Sequence, residues 1–378
     1  MSTEANADTT GTAANAGTTG TAANTDATGT SANAGTDTTP TIDGARLAAW
    51  MDRMRLPGAG EPLHTRFLSG GTQNEIYEIR RGEHRSALRI PPVNAPADRD
   101  KGIVREWRII EALDRTDVPH TPAVAVCTDT AVLGRTFYLM GFVEGWSPME
   151  YGKVWPAPFD ADLRARTGLA YRLAEGIALL SNVDWRGVGL HDLGRPDGFH
   201  ERQVDRWTGF FERIKGRELD GMHAATTWLR THRPLDFIPG VMHGDYQFAN
   251  VMFRDGAPAT LAAIVDWEMG TVGDPKLDLA WMLQDWPEDT SGPEAAAGYV
   301  DLTGMPSRTR LAEHYAEVSG RQVDDLDYYL VLAKWKLAIV LEQGFQRAGD
   351  DVKLQSFGPI VPQLMRSAAE LAETSEYR

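Results

Sequence analysis

Positive charge, cysteine and long apolar runs are all scarce in this 378-residue chain. It carries 38 Lys and Arg against 53 Asp and Glu, a formal net charge of -15. A general nucleic-acid binder needs a basic surface toward the phosphates, so that class is disfavoured at the outset. The single cysteine, Cys127 in VAVCTDT, excludes an intrachain disulfide framework and any zinc site built from several cysteines. It reads as a small buried hydrophobe, since a nucleophile would need a local base. No apolar run approaches the ~20 residues that span a bilayer. Nor does the N-terminus place a positive segment ahead of an apolar core, as a secretory signal would. The expectation is a reduced, soluble, cytoplasmic protein with neither nucleic-acid nor membrane partners.

The first 40 residues hold 13 Thr and 10 Ala, no Lys or Arg, and one large apolar side chain, Met1. GTAAN begins at Gly11 and Gly20, and GTSAN at Gly29, a repeat too polar to bury a face by stacking. Such a composition cannot offset its ordering entropy, so residues 1–41 are expected to form a disordered leader and order to begin near Ile42. The leader accounts for -4 of the charge, leaving the rest of the chain at -11 and acidic in its own right.

Periodicity then predicts a strand-rich front and a helix-rich body. ARLAAWMDRM suits a short helix, and residues 64–90 a hairpin of HTRFLSGG against NEIYEIRRGEHRSALRI. Helical spacing over Arg99–Asp114 runs through Ile103, Trp107, Ile110 and Leu113, and residues 123–143 suit two strands joined by a turn. Further helices are expected over Leu163–Leu180, capped by Asp160 or Asp162, and over Gln203–Lys215, Asp327–Gln346 and Pro362–Glu373. Two short apolar runs, NVMF and LAAIVDW, interrupt the helical pattern, and LDLAWML resumes it. The fold class is therefore α+β: a small antiparallel-sheet lobe with one helix over roughly 60–140, a larger helical lobe over 145–378, and a cleft between them.

Polar motifs gather where the pattern breaks. VMHGDYQFANVMF carries His243, Gly244, Asp245 and, five residues beyond the aspartate, Asn250. IVDWEMGTVGDPKLDLAW follows with Asp266. Phosphoryl transfer needs one carboxylate to orient an acceptor hydroxyl and another to hold Mg2+. An asparagine oxygen can complete the metal shell without adding charge. The ordered set supplies all three.

With these motifs the chain resembles the aminoglycoside phosphotransferase-like family, a branch of the protein-kinase-like fold. Within it, the chain is similar to the kinase-like domains linked to acyl-CoA dehydrogenases, over roughly Phe67–Gln346. The resemblance implies an ATP- and Mg2+-dependent enzyme that phosphorylates a small-molecule hydroxyl, with residues 42–378 as one phosphotransferase domain. Asp245 would be the catalytic base or hydroxyl-orienting group, and Asn250 and Asp266 the metal ligands. FLSGGTQNEIY would place Gly70, Gly71 and Asn74 at the phosphates. Arg89 in SALRIPP would stand where many members carry lysine, paired with Glu106. Met140, Phe142 and Val143 in FYLMGFVEG would line the adenine hinge. His243 is expected to shape the loop, Asp274 and Asp278 to hold loop amides and a helix start, Glu268 to cap local backbone or else contact the metal indirectly, and Trp267 and Trp281 to pack.

For the acceptor, the acyl-CoA dehydrogenase likeness implies a hydroxyacyl-CoA-type metabolite. The family name and acidic charge suggest an aminoglycoside or other antibiotic, and an inactive nucleotide-binding regulator is the third reading. Arg195, Arg202, Arg206 and Arg213 are candidate contacts for an anionic acceptor, and residues 184–207 the expected recognition segment.

Overall fold

Strand periodicity and helical amphipathicity sort this chain into two lobes in the computed structural model, which describes residues 42–70, 74–96, 98–292, 296–297 and 299–377. The expected leader and Gly71 lie outside the described residues. Helix α1 (Gly44–Arg53) precedes a five-stranded antiparallel sheet of β1 (Leu63–Gly70), β2 (Glu75–Arg81), β3 (His84–Ile90), β4 (Ala123–Cys127) and β5 (Phe137–Gly141), in the order β1-β2-β3-β5-β4. The expected hairpin over 64–90 is a three-stranded meander instead. Its second limb folds back at Gly82–Glu83, where a tight turn pairs Arg81 with His84.

Side chains alternate across a strand, so this sheet has two different faces. Tyr77, Ile79, Leu88, Ile90, Phe137 and Leu139 pack with Leu47, Trp50 and Met51 of α1, and Cys127 is buried in the same cluster. On the other face, the register sets Ile76 beside Arg89, Ala87 beside Met140 and Arg89 beside Tyr138. Helix α2 (Arg99–Leu113) lies beneath β4 and β5, and α3 (Thr130–Leu133) occupies the connection expected to be a plain turn.

After β5 the chain crosses without secondary structure through Phe142–Gly145. Gly145 has φ +154, and a Cβ there would sit 2.4 Å from the Phe253 carbonyl, so glycine permits the close approach at which Trp146 bridges Phe253. The helical lobe contains α4 (Pro148–Tyr151), α5 (Leu163–Ser181), α6 (Phe199–Ile214) and α7 (Met222–Thr231). Asp162 rather than Asp160 caps α5, accepting from the amides of Arg164 and Ala165. Three short strand pieces and one more follow: β6 (Gly240–Met242), β7 (Val251–Phe253), β8 (Leu261–Ile264) and β9 (Thr271–Gly273). They pair as β6-β9 and β7-β8. Helices α8 (Lys276–Leu283), α9 (Arg308–Ser319), α10 (Leu326–Gln346), α11 (Val352–Gln355) and α12 (Phe357–Thr374) complete the lobe. The nearly all-buried α10 is its axis, packed by α12, α8, α6 and α7. Among the described residues, no helix is long and apolar enough to cross a membrane.

Candidate active site

The β7-β8 hairpin and the β6-β9 pair on either side of it in sequence present the polar motifs to the cleft. The catalytic-type loop leaves β6 at His243, and its first turn is fixed from α8. The Asp278 carboxylate accepts from the amides of His243 (2.5 Å) and Gly244 (2.8 Å). Gly244 has φ +85 and lies so close to Met269 that a Cβ would meet its carbonyl at 2.6 Å. The His243 ring donates through Nε2 to the Val265 carbonyl (2.8 Å) and accepts at Nδ1 from the Asp245 amide (3.3 Å). Those roles require the neutral ring, and burial lowers its pKa. His243 therefore ties the loop to the segment leading into Asp266 and shapes it, as expected. Replacing Asp278 by alanine would strand two buried N–H donors, each worth about 1–3 kcal/mol unsatisfied. A loss of about 2–5 kcal/mol is expected in urea unfolding; a change below about 0.5 kcal/mol would show the cap to be dispensable.

Asp245 is half-buried and is the acceptor of three side-chain donors. Its Oδ1 receives Trp281 Nε1 (2.7 Å) and Gln247 Nε2 (2.9 Å), and its Oδ2 receives Asn250 Nδ2 (2.9 Å). Burial pushes its pKa up to about 6; the Asp266 charge adds to this, and the three donors oppose it. Trp281 is thus more than the packing residue expected, because its indole N–H aims the carboxylate. Gln247 and Tyr299 extend the network: the Tyr299 hydroxyl donates to Gln247 Oε1 (3.0 Å) and accepts from the Ala249 amide (3.1 Å).

Asn250 ends a single 3-10 turn, Phe248–Asn250. Its Nδ2 is spent on the Asp245 carbonyl and carboxylate, while its Oδ1 makes no hydrogen bond among the described residues. Asp266 follows β8 with φ +66, a left-handed conformation that aspartate tolerates better than most residues. An open amide oxygen and a carboxylate suit a hard cation that retains water and phosphate ligands. No group of three His, Cys, Asp or Glu side chains forms a complete cage among the described residues, and Mg2+ does not require one.

From the sheet lobe, Arg89 reaches into this constellation. Its Nε pairs with Glu106 of α2 (2.7 Å) and its terminal nitrogen with Asp266 (2.7 Å). Glu106 is buried and also accepts from the Tyr138 hydroxyl (3.1 Å). Lysine could not span two carboxylates from two different nitrogens, which is what arginine contributes here. Glu268 caps no backbone among the described residues, contrary to expectation. It sits half-buried in the field of Asp266, and burial followed by that like charge pushes it up to about 8.

Gly70 closes β1 and Asn74 stands immediately before β2. Met140 faces the cleft beside Ala87. The Phe142 ring carries the Arg85 guanidinium 3.9 Å from its centroid, and Val143 lies in the extended crossing. Asp274 accepts from the Lys276 amide (3.2 Å), as expected of a helix-start residue, and also binds His200 and the Tyr329 hydroxyl. Much of 184–207 is packing: Trp185, Leu190, Leu193, Phe199 and His200 are buried. Arg202 turns back to the carbonyls of Asp197 and Arg195, and Arg213 lies over Phe210. Trp207, by contrast, has Lys336 of α10 over its ring at 5.1 Å, where the Arg206 charge is also felt. Lys336, Gln247 and Tyr299 are not among the expected site residues; for Lys336 a lysine pair inside the otherwise apolar LVLAKWKLAIV is the available signal.

The family model described as the phosphotransferase enzyme family matches residues 64–314. Acyl-CoA dehydrogenase family member 11 of Gallus gallus is 26% identical over 294 residues, covering 75% of this chain and 37% of that protein. Family member 10 of Mus musculus is 24% identical over 316 residues, covering 82% of this chain and 29% of that protein. The chain therefore spans well under half the length of these curated relatives. A crystal structure from Ralstonia eutropha JMP134, provisionally named an aminoglycoside phosphotransferase, superposes with TM-score 0.76 at 26% identity, covering 89% of this chain and 100% of that one. A macrolide 2'-phosphotransferase type I shares the fold, with TM-score 0.57 at 18% identity over 85% of this chain and 99% of the other.

Proposed function

This chain belongs to the phosphotransferase enzyme family, and from that premise we propose that it is an ATP- and Mg2+-dependent kinase for a small-molecule hydroxyl, with a hydroxyacyl-CoA-type acceptor. One observation carries this reading. A single hydrogen-bonded hub holds Asp245, Asn250 and Trp281 on the helical lobe, while Arg89 joins Glu106 to Asp266 across the cleft.

Asp245 orients the acceptor hydroxyl and takes its proton as the oxygen forms a bond to the γ-phosphorus of ATP. The bond to the β-γ bridging oxygen breaks, and ADP leaves with that electron pair. Asn250 and Asp266 would hold Mg2+, which when bound neutralises charge developing on the phosphates. Arg89, Gly70, Gly71 and Asn74 would position the phosphates, and the crossing at Met140, Phe142 and Val143 would receive adenine. Orientation and preset charge do the catalytic work, with no phosphoenzyme.

The acyl-CoA acceptor rests on the likeness to acyl-CoA dehydrogenase family members 10 and 11. The aminoglycoside alternative rests on the name of the Ralstonia structure. An inactive regulator is disfavoured by the retention of Asp245, Asn250 and Asp266 together. Magnesium-dependent ADP release with hydroxyacyl-CoAs and aminoglycosides as acceptors tests all three; no phosphorylated acceptor in either class would overturn the reading. In the same assay, Arg89→Lys should raise the ATP KM about tenfold, because one ammonium keeps the charge but not both carboxylate contacts. An unchanged KM would remove Arg89 from phosphate binding.

A further inference from the structure

The roles assigned above leave one buried cation without a task. Lys336 lies midway along α10 and is 8% exposed. Its Nζ sits 5.1 Å from the ring centroid of Trp207 on α6 and 5.2 Å from that of Trp281 on α8. Its ammonium makes no hydrogen bond or ion pair among the described residues. Asp278 and Asp245 act on it through their charge, but both are already committed to other donors: Asp278 to two loop amides, Asp245 to Trp281, Gln247 and Asn250.

An ammonium offers three donors, and indole faces offer no acceptor oxygen to any of them. A leucine or methionine would fill this space without the desolvation cost. Arg206, exposed and one residue before Trp207, adds a second positive charge felt at Lys336 and has no carboxylate partner among the described residues. A buried ammonium held between two indole rings with no hydrogen-bond acceptor of its own, in the field of a second cation, defines a place for an anion. Its position is set by Trp281, whose nitrogen holds Asp245 while its ring flanks Lys336. The anion site is therefore one indole away from the carboxylate that would receive the acceptor hydroxyl.

Resting on the phosphotransferase reading, we propose that Lys336, aided by the charge of Arg206, binds an oxyanion of the acceptor, a carboxylate or a phosphate. The site then selects anionic hydroxylated acceptors over polycationic ones. A purely structural lysine, balancing Asp278 and Asp245, would weaken every acceptor alike when removed.

The test uses the full chain saturated with AMP-PNP and Mg2+. Calorimetry gives the Kd of 3-hydroxybutyrate, its neutral amide, 3-hydroxybutyryl-CoA and kanamycin for the unmodified protein, Lys336→Met, Lys336→Arg and Arg206→Ala. At least one anionic probe should bind, Lys336→Met should weaken it about 10–100-fold, and Lys336→Arg should restore most of the loss. The amide should be unaffected. Tighter binding of hydroxybutyrate assigns the anion as carboxylate, and tighter binding of the thioester assigns it as phosphate. The proposal is overturned if neither anionic probe binds, if charged and neutral probes weaken equally, or if kanamycin binds tightest. Should Lys336→Met fail to fold, Arg206→Ala carries the comparison: selective weakening of the anionic probe supports the proposal, and no change overturns it. ADP release from ATP with each probe separates the two claims. Lys336-dependent binding without turnover retains this inference and sinks the phosphotransferase reading; turnover with Lys336-independent binding does the reverse.

Discussion

Replacing Asp245 by asparagine should lower kcat by about 10²–10⁴-fold, the span that positioned general bases contribute. The substitution changes almost no volume, so folding should survive, and a thermal-unfolding midpoint near that of the unmodified protein would show it. Two separate consequences reach the chemistry. An amide cannot take the hydroxyl proton. It also cannot accept from all three present donors, because Trp281 and Gln247 already occupy Oδ1 and Asn250 Nδ2 points at Oδ2. The new NH2 would face the Asn250 NH2, and Asn250 must rotate to relieve the contact. That rotation turns its free Oδ1 away from the proposed metal position. Single-turnover phosphate transfer should therefore be slow, with a Mg2+ requirement shifted to higher concentration. Trp281→Phe separates the effects: it leaves the base intact, removes one orienting bond, and should cost only about tenfold. If Asp245→Asn retained more than a tenth of the original kcat, the base assignment would fail.

The residues of this hub differ in how far sequence exposed them. Asp245, Asn250 and Asp266 sit in short motifs with fixed spacing, and phosphoryl transfer needs those residue types, so order alone marks them as candidates. Arg89 and Glu106 were harder, since only the strand and helix bring them within 2.7 Å. Trp281, Gln247 and Tyr299 carry no local pattern. Trp281 looks like one apolar residue among others in LDLAWML, and only the packing of α8 against the loop reveals its N–H at Asp245. Lys336 breaks an apolar helix by charge, yet its neighbours lie on α6 and α8, far away in sequence.

Fold-level expectations separate in the same way. Long periodic stretches such as α2, α5 and α10 matched their predicted spans closely, because burial on one or all faces writes itself into composition. The meander was read as one hairpin because EIRRGEHRSA is polar through its turn, and alternation on both sides of Gly82 blends into one apparent strand. Helix α9 and the short α4 and α11 are not among the expected elements. Their ends rest on Ser307, Ser147 and Asp351 caps, which are signals only when the following turn is known to be helical.

Asp266→Asn should reduce ADP formation about 10²–10³-fold, and the sign of its effect on nucleotide binding distinguishes two roles for this residue. Asparagine tolerates the left-handed φ of +66 at this position, so the backbone need not move. What disappears is the charge, which serves both the proposed Mg2+ and the Arg89 terminal nitrogen. Glu106 still holds Arg89 through Nε, so the arginine remains in place with one partner fewer. A guanidinium freed on that side is a better phosphate ligand. ATP without metal should consequently bind as tightly as before or tighter, while the gain in affinity that Mg2+ confers should vanish. Raising Mg2+ should not rescue the rate. If Asp266 serves only as an ion-pair partner holding the lobes, nucleotide affinity should instead fall equally with and without Mg2+. Titrating a fluorescent ATP analogue under both conditions separates these outcomes, and the second would remove Asp266 from the metal site while leaving Asp245 untouched.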